Sequence, residues 1–204
     1  MKELLTSAAE WRLLSLLFEC PSEHWRATVA ASAAEITDDG LREAAAAALA
    51  EATAGLYHSI FGPGGPAAPR EVSYHQTLQL GYLMSEIKGY YQAFAYQPDT
   101  SEAADHVAVE AGFVAYLRLK EAYARQCGDE EGATITAEAA QRFLDHHLAN
   151  VAEPLARALA QSGVRYLALA GEALATRVGP PLTKSPLHVL SDVEECAFDC
   201  GDVP

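Results

Sequence analysis

Four cysteines in 204 residues, at positions 20, 127, 196 and 200, are too few and too scattered for the disulfide framework of a small secreted protein. Their scarcity predicts a reduced, cytoplasmic chain. Long apolar runs are also missing: nothing reaches the roughly 18 uninterrupted apolar residues of a membrane-spanning helix. The first twenty residues, MKELLTSAAEWRLLSLLFEC, are broken by Glu10, Arg12 and Glu19 and lead into no small-residue cleavage site, so they do not read as a secretory signal. Positive charge is scarce. Fourteen Lys and Arg face 28 Asp and Glu, a formal charge of −14. A field of that sign repels phosphate backbones, which argues against a nucleic-acid partner, and attracts a cationic one such as a basic peptide. Alternating strand patterns and fixed-period repeats are absent as well.

What remains is helical spacing. Leu4, Ala8, Trp11, Leu14 and Phe18 form one stripe that stops at Pro21. Ser22 is placed to cap a second helix over about 23–36, which Asp38-Asp39-Gly40 ends. An alanine-rich helix is predicted from Leu41 to about Phe61, burying Leu41, Ala45, Leu49, Ala52 and Leu56. The linker FGPGGPAAP follows. Glu71 or Ser73 then opens a long helix with Leu78, Tyr82, Ser85, Gly89 and Phe94 on one stripe and Leu83, Ile87 and Tyr91 beside it. Asp105, a good N-cap, starts another helix reaching about Gln126. Three more are predicted at about 132–149, 152–162 and 164–178, with Pro154 in a first turn. The expectation is an all-α, single-domain bundle of about seven or eight helices over residues 1–180, followed by a poorly structured acidic tail over 181–204.

Motifs for catalysis are missing. The glycine-rich linker has no following lysine and hydroxyl residue and no preceding strand, so it is neither a P-loop nor a dinucleotide fingerprint. The pairs Glu71/His75, Glu102/His106 and His106/Glu110 are spaced i,i+4, not the Glu-x-x-His of a di-iron bundle, and read as polar pairs. Adjacent His146 and His147 point in different directions. Cys196 and Cys200 are weak metal candidates that lack a second ligand pair. No cofactor and no enzymatic activity are predicted.

The ordered set Tyr57-x-x-x-Phe61-Gly62-Pro63-Gly64, Glu71-x-Ser73-Tyr74, Asp105-His106 with Glu110 and Phe113, then Phe143-Leu144-x-x-His147-Leu148, resembles the TorD/DmsD/NarJ family over roughly residues 5–178. Members are cytoplasmic chaperones that assist assembly of molybdenum-cofactor redox enzymes. Where the family often has Glu-Pro-x-Asp-His, this chain has Glu102-Ala103-Ala104-Asp105-His106, without the proline.

The resemblance implies a partner: the precursor of a molybdopterin-containing oxidoreductase subunit, held by its N-terminal leader, a twin-arginine signal in exported members. It leaves open a NarJ-like role for a non-exported reductase, and weak GTP binding as in a nucleotide-responsive switch. The peptide site it implies comprises Tyr57, Phe61, Gly62, Pro63, Gly64, Glu71 and Tyr74 around the linker. Glu86, Tyr90, Tyr91, Asp105, His106 and Glu110 complete it. Acidic members would meet the leader's arginines, and aromatic ones its apolar run.

Overall fold

The computed structural model describes residues 1–75 and 80–180. The helices are α1 (Lys2–Leu17), α2 (Trp25–Glu35), α3 (Asp39–Glu51), α4 (Ala54–Phe61), α5 (Leu80–Ala93), α6 (Val107–Gln126), α7 (Glu130–Phe143), α8 (Ala149–Ala160) and α9 (Arg165–Val178). A 3-10 turn covers Glu71–Tyr74, and a π turn over Leu144–Leu148 joins α7 to α8 in one continuous rod. Among the described residues this gives eight helical rods and no strand, an all-α bundle. The predicted acidic tail and Leu78 lie outside the described residues.

α6 is the central rod. Its first nine residues, Val107 to Ala115, are all buried, so that half is enclosed on every side rather than amphipathic, while Leu119 and Tyr123 in the second half are exposed. α1 and α7 pack along it; α9 packs on α8 and α3. α5 is different. No described helix packs its backbone closely against α5, which is held instead by long side chains. Leu83, Ile87 and Tyr91 form its buried stripe, with the Tyr91 ring 4.8 Å from Phe113, and Phe113 in turn 4.8 Å from Phe143. On the other stripe Tyr82, Ser85 and Gly89 face out, Tyr82 being 65% exposed, while Phe94 packs partly against Phe113.

Four boundaries depart from the sequence reading, each for a local reason. The helix expected over 41–61 breaks after Glu51, because extended Thr53 turns its hydroxyl back to accept from Leu56 N at 3.1 Å and starts α4. Arg26 takes the freed carbonyls of Leu49 and Ala52. Ser22 caps nothing with its side chain, and α2 begins only at Trp25. No helix starts at Glu71 or Ser73, since His75 is extended after the 3-10 turn. Pro154 sits in mid-helix, because the π turn carries α7 through to α8 without the expected break. A proline has no N–H, so the Asn150 carbonyl loses its helical donor there.

Candidate functional site

The linker and the turn before α6 lie side by side. Gly62 ends α4 with its N–H on the His58 carbonyl at 2.9 Å, and Gly64 (φ +81) takes a left-handed conformation closed to most side chains. Arg70 and His106 form an isolated antiparallel bridge: Glu71 N donates to Asp105 O at 2.8 Å, and Val107 N donates to Pro69 O at 2.8 Å. The Tyr74 hydroxyl donates to Ala68 O at 2.6 Å, tying the 3-10 turn to the linker. Between linker and turn lies a cleft of about 500 Å³ whose walls include Tyr57, Phe61, Pro63, Arg70, Glu102 and His106. The linker is a poor anion cradle. It follows the electronegative C-terminus of α4, and the first N–H groups of α6 are already bonded to Pro69 O, His106 Nδ1 and His106 O.

Behind the cleft is a buried polar centre. Asp105, fully buried, is held by Arg70 (Nε to Oδ1, 2.8 Å) and accepts from Val72 N at 3.3 Å. It is not the N-cap of α6. His106 is: its Nδ1 accepts from Ala108 N at 3.1 Å. That bond fixes the tautomer, so Nε2–H donates to the Tyr57 hydroxyl at 3.0 Å and Tyr57 passes its own proton toward Glu102 Oε1 at 3.3 Å. Burial pushes His106 down to about 4, outweighing Glu102 and Asp105, and keeps the ring neutral as the cap requires. Burial and Glu102 together push the Tyr57 hydroxyl up.

Glu71, also fully buried, gathers three donors. His75 Nε2 reaches Oε1 at 2.8 Å, His147 Nδ1 reaches Oε2 at 3.0 Å, and Asn150 Nδ2 reaches Oε1 at 3.3 Å. Burial raises its pKa, but the two histidines more than offset that and hold it below the usual carboxylate range. Glu110 has no such help. Both its oxygens are buried without a donor, and burial, the negative charge of Glu71, a hydrogen bond that the retained proton makes to the Glu71 carboxylate, and the charge of Asp105 push it well above the usual range. It is a neutral acid held inside the bundle. His147 uses only Nδ1. Its Nε2 is buried without a partner, 4.0 Å from Glu86 Oε1, and its ring packs against the edge-on ring of Tyr90.

Glu86 and Tyr90 open onto a second surface, a groove of about 450 Å³ between α5 and α7. Each helix presents one i, i+3, i+4, i+7 face: Glu86, Gly89, Tyr90 and Ala93 from α5, and Ile135, Glu138, Ala139 and Arg142 from α7. Tyr90, Phe94 and Ile135 make the apolar lining. Glu86 and Glu138 supply acid at the rim, and Arg142 is bound to Glu138 at 2.7 Å. Nothing lies within 4 Å of where a Gly89 side chain would begin.

The structure therefore brings Tyr57, Phe61 and the Gly62–Gly64 linker into one cleft with His106. Asp105, Glu71 and Glu110 stand behind it with their carboxylates turned inward, and Arg70 already occupies Asp105. Glu102 is the carboxylate that lines the cleft. Tyr91 belongs to the core, donating its hydroxyl to Ala104 O at 2.8 Å, whereas Glu86 and Tyr90 belong to the other groove. The i,i+4 pairing of Glu71 with His75 is real. Arg70, His147, Asn150 and Glu138 were not singled out as site residues. His147 lies in the Phe143-Leu144-x-x-His147-Leu148 motif, but nothing local ties it to Glu71, 76 residues earlier. Among the described residues no group of His, Cys, Asp and Glu is arranged to hold a metal, and no helix is long and apolar enough to cross a membrane. Cys196 and Cys200 lie outside the described residues.

A helical bundle with a buried, internally paired polar centre flanked by a linker cleft and an acid-rimmed apolar groove defines the class. The chain matches the model of the nitrate reductase delta subunit family over residues 24–157 and belongs to that family. Proteins of this family are molybdoenzyme maturation chaperones, assembly factors rather than enzymes. No curated protein matches the chain.

Proposed function

We propose that the chain holds the N-terminal leader of a molybdenum-cofactor redox enzyme in the cytoplasm while the cofactor is inserted, and releases it for export or membrane docking. The observation that carries this reading is the α5–α7 groove in a chain of this family. An apolar floor suits the leader's hydrophobic run, and the rim carboxylate of Glu86, which unlike Glu138 is not held by Arg142, suits its basic residues. The linker cleft is less suited to arginine, since its lining acid, Glu102, is half-buried and accepts from the Tyr57 hydroxyl, and the Arg70 guanidinium lines the same cleft. Its part is to set the wall that Tyr57 and Phe61 present to the following residues of the leader.

Calorimetry with leader peptides of molybdoenzymes from the native host tests this. Saturable binding is expected, weakened about tenfold by Glu86→Lys, the loss of one charge-assisted contact. Gly89→Leu should abolish it by filling the groove. Binding unchanged in both variants would remove the groove from the function. A nitrate-reductase-type client kept on the cytoplasmic face is the second reading, favoured by the family match. A leader whose adjacent arginines are both replaced by glutamine separates the two, since an export-type client loses its affinity and the other does not.

A further inference from the structure

His147 sits in the π turn with its ring sealed inside the bundle, 1% exposed. Its Nδ1 lies 3.0 Å from Glu71 Oε2, and an ionised carboxylate can only accept, so Nδ1 carries the proton. Nε2 is left with either a lone pair or a second proton. A second proton would place a buried, charged N–H with no acceptor in hydrogen-bond reach, since Glu86 Oε1 stands 4.0 Å away. Nε2 therefore keeps its lone pair, an acceptor without a donor.

Glu86 faces it from α5, its side chain 37% exposed and bordering the α5–α7 groove. No Lys or Arg among the described residues pairs with this carboxylate. Arg142, the cation of the groove lining, is bound to Glu138 at 2.7 Å. At the Phe94 end Lys120 donates to the Phe94 carbonyl at 3.0 Å and lies over the Phe94 and Tyr116 rings. Lys88, two residues beyond Glu86, points to a different side of the helix. Two acceptors thus face one another at the groove wall, one of them charged, with no donor between them.

Their spacing selects the donor. A single nitrogen can stand at about 2.9 Å from both acceptors when these are 4.0 Å apart, provided it carries two hydrogens at a wide angle. A primary ammonium meets that condition and is compact. A guanidinium fork makes parallel bonds and matches the two oxygens of one carboxylate, which lie much closer together than 4.0 Å.

We propose that Glu86 Oε1 and His147 Nε2 form a seat for one primary ammonium group, a lysine of the leader, with Glu86 turning outward to admit it. The lysine stem then lies on the Tyr90 ring and the open face of Gly89. The seat makes His147 a specificity-determining residue although it is buried. This rests on the reading that the leader occupies the α5–α7 groove, and it names the leader side chain read there.

Full-length protein labelled with ¹⁵N-histidine reports the protonation and hydrogen bonding of each ring nitrogen, and His147→Gln, whose amide still donates to Glu71, assigns the signal. In the free protein Nε2 should read as unprotonated. n-Butylammonium should shift it saturably, and Glu86→Gln, at a partly exposed position, should weaken that response about tenfold. Tetramethylammonium, with the same charge and no N–H, should leave Nε2 unmoved, and n-butylguanidinium should bind several-fold more weakly. A second proton already on Nε2, no saturable shift, or an equal response to tetramethylammonium or to the guanidinium overturns the seat. A client leader should reproduce the shift and lose it when its lysines are replaced by norleucine. A leader that binds without moving Nε2 overturns the seat and leaves leader recognition standing; a leader that fails to bind where n-butylammonium succeeds overturns leader recognition and leaves the seat.

Discussion

Replacing Glu110 by Gln keeps the shape of a buried side chain and removes its titration. In the folded protein burial and the negative charge of Glu71 and Asp105 keep the Glu110 proton on; in the unfolded chain the same carboxyl loses it near the ordinary glutamate value. Over the interval between those two values the folded state holds the extra proton, so wild-type stability falls as pH rises, by up to about 1.4 kcal/mol per pH unit. Glutamine has no such slope. The stability of Glu110→Gln minus that of wild type should therefore climb with pH above the ordinary glutamate range and level off at the folded-state value. Its absolute offset is of the order of 1–3 kcal/mol against the variant, because the carboxamide brings a second N–H into a buried place where only the Glu71 carboxylate can accept, and that offset does not vary with pH. Urea denaturation followed by circular dichroism at four pH values from about 5 to about 8 reads the difference directly. Other titrations are common to both proteins and cancel. Two parallel curves would show that Glu110 ionises normally inside the bundle and would refute the account of the buried centre.

Glu71→Ala removes the anion on which His75, His147 and Asn150 converge, and should destabilise by about 3 kcal/mol, lowering the thermal midpoint by roughly 10 °C. Because the folded Glu71 pKa is depressed, the gap to wild type is full at neutral pH and closes as pH falls through that lowered value. His106→Asn keeps a cap acceptor but no longer titrates: the wild type should lose stability as pH drops from 6.5 to about 4, and the variant should lose less. Tyr57→Phe leaves the His106 Nε2–H without its acceptor and should cost about 1–3 kcal/mol by urea midpoint. Gly89→Ala meets open space on a helix and should stabilise by about 0.5–1 kcal/mol. Gly62→Ala drives a methyl group into the His58 carbonyl and should destabilise in the same assay.

The helical rods were legible because apolar spacing and intrinsic propensity act within a few residues, and so α1, α6 and α9 lie close to where their stripes place them. The linker was legible for the same reason, since Gly and Pro forbid helix locally. Errors fell where a side chain from elsewhere decided. Arg26 stabilises the break after Glu51, from 26 residues away at Ala52. Two stripes stood side by side on α5 because several spacings fit a helix rich in aromatics, and only the positions of Phe113 and Phe143 select Leu83, Ile87 and Tyr91 as the buried one.

Sequence alone determined that this chain is a helical bundle of one family and that it carries an excess of acid. It could not say which acids face solvent. A carboxylate looks the same in a sequence whether it meets water or three donors, and the donors of Glu71 come from its own turn, from the π turn and from the helix after it. Tertiary packing decided that Glu71, Asp105 and Glu110 turn inward while Glu86 and Glu138 rim an open groove, because charge is buried only where distant partners, or a retained proton, compensate for lost hydration.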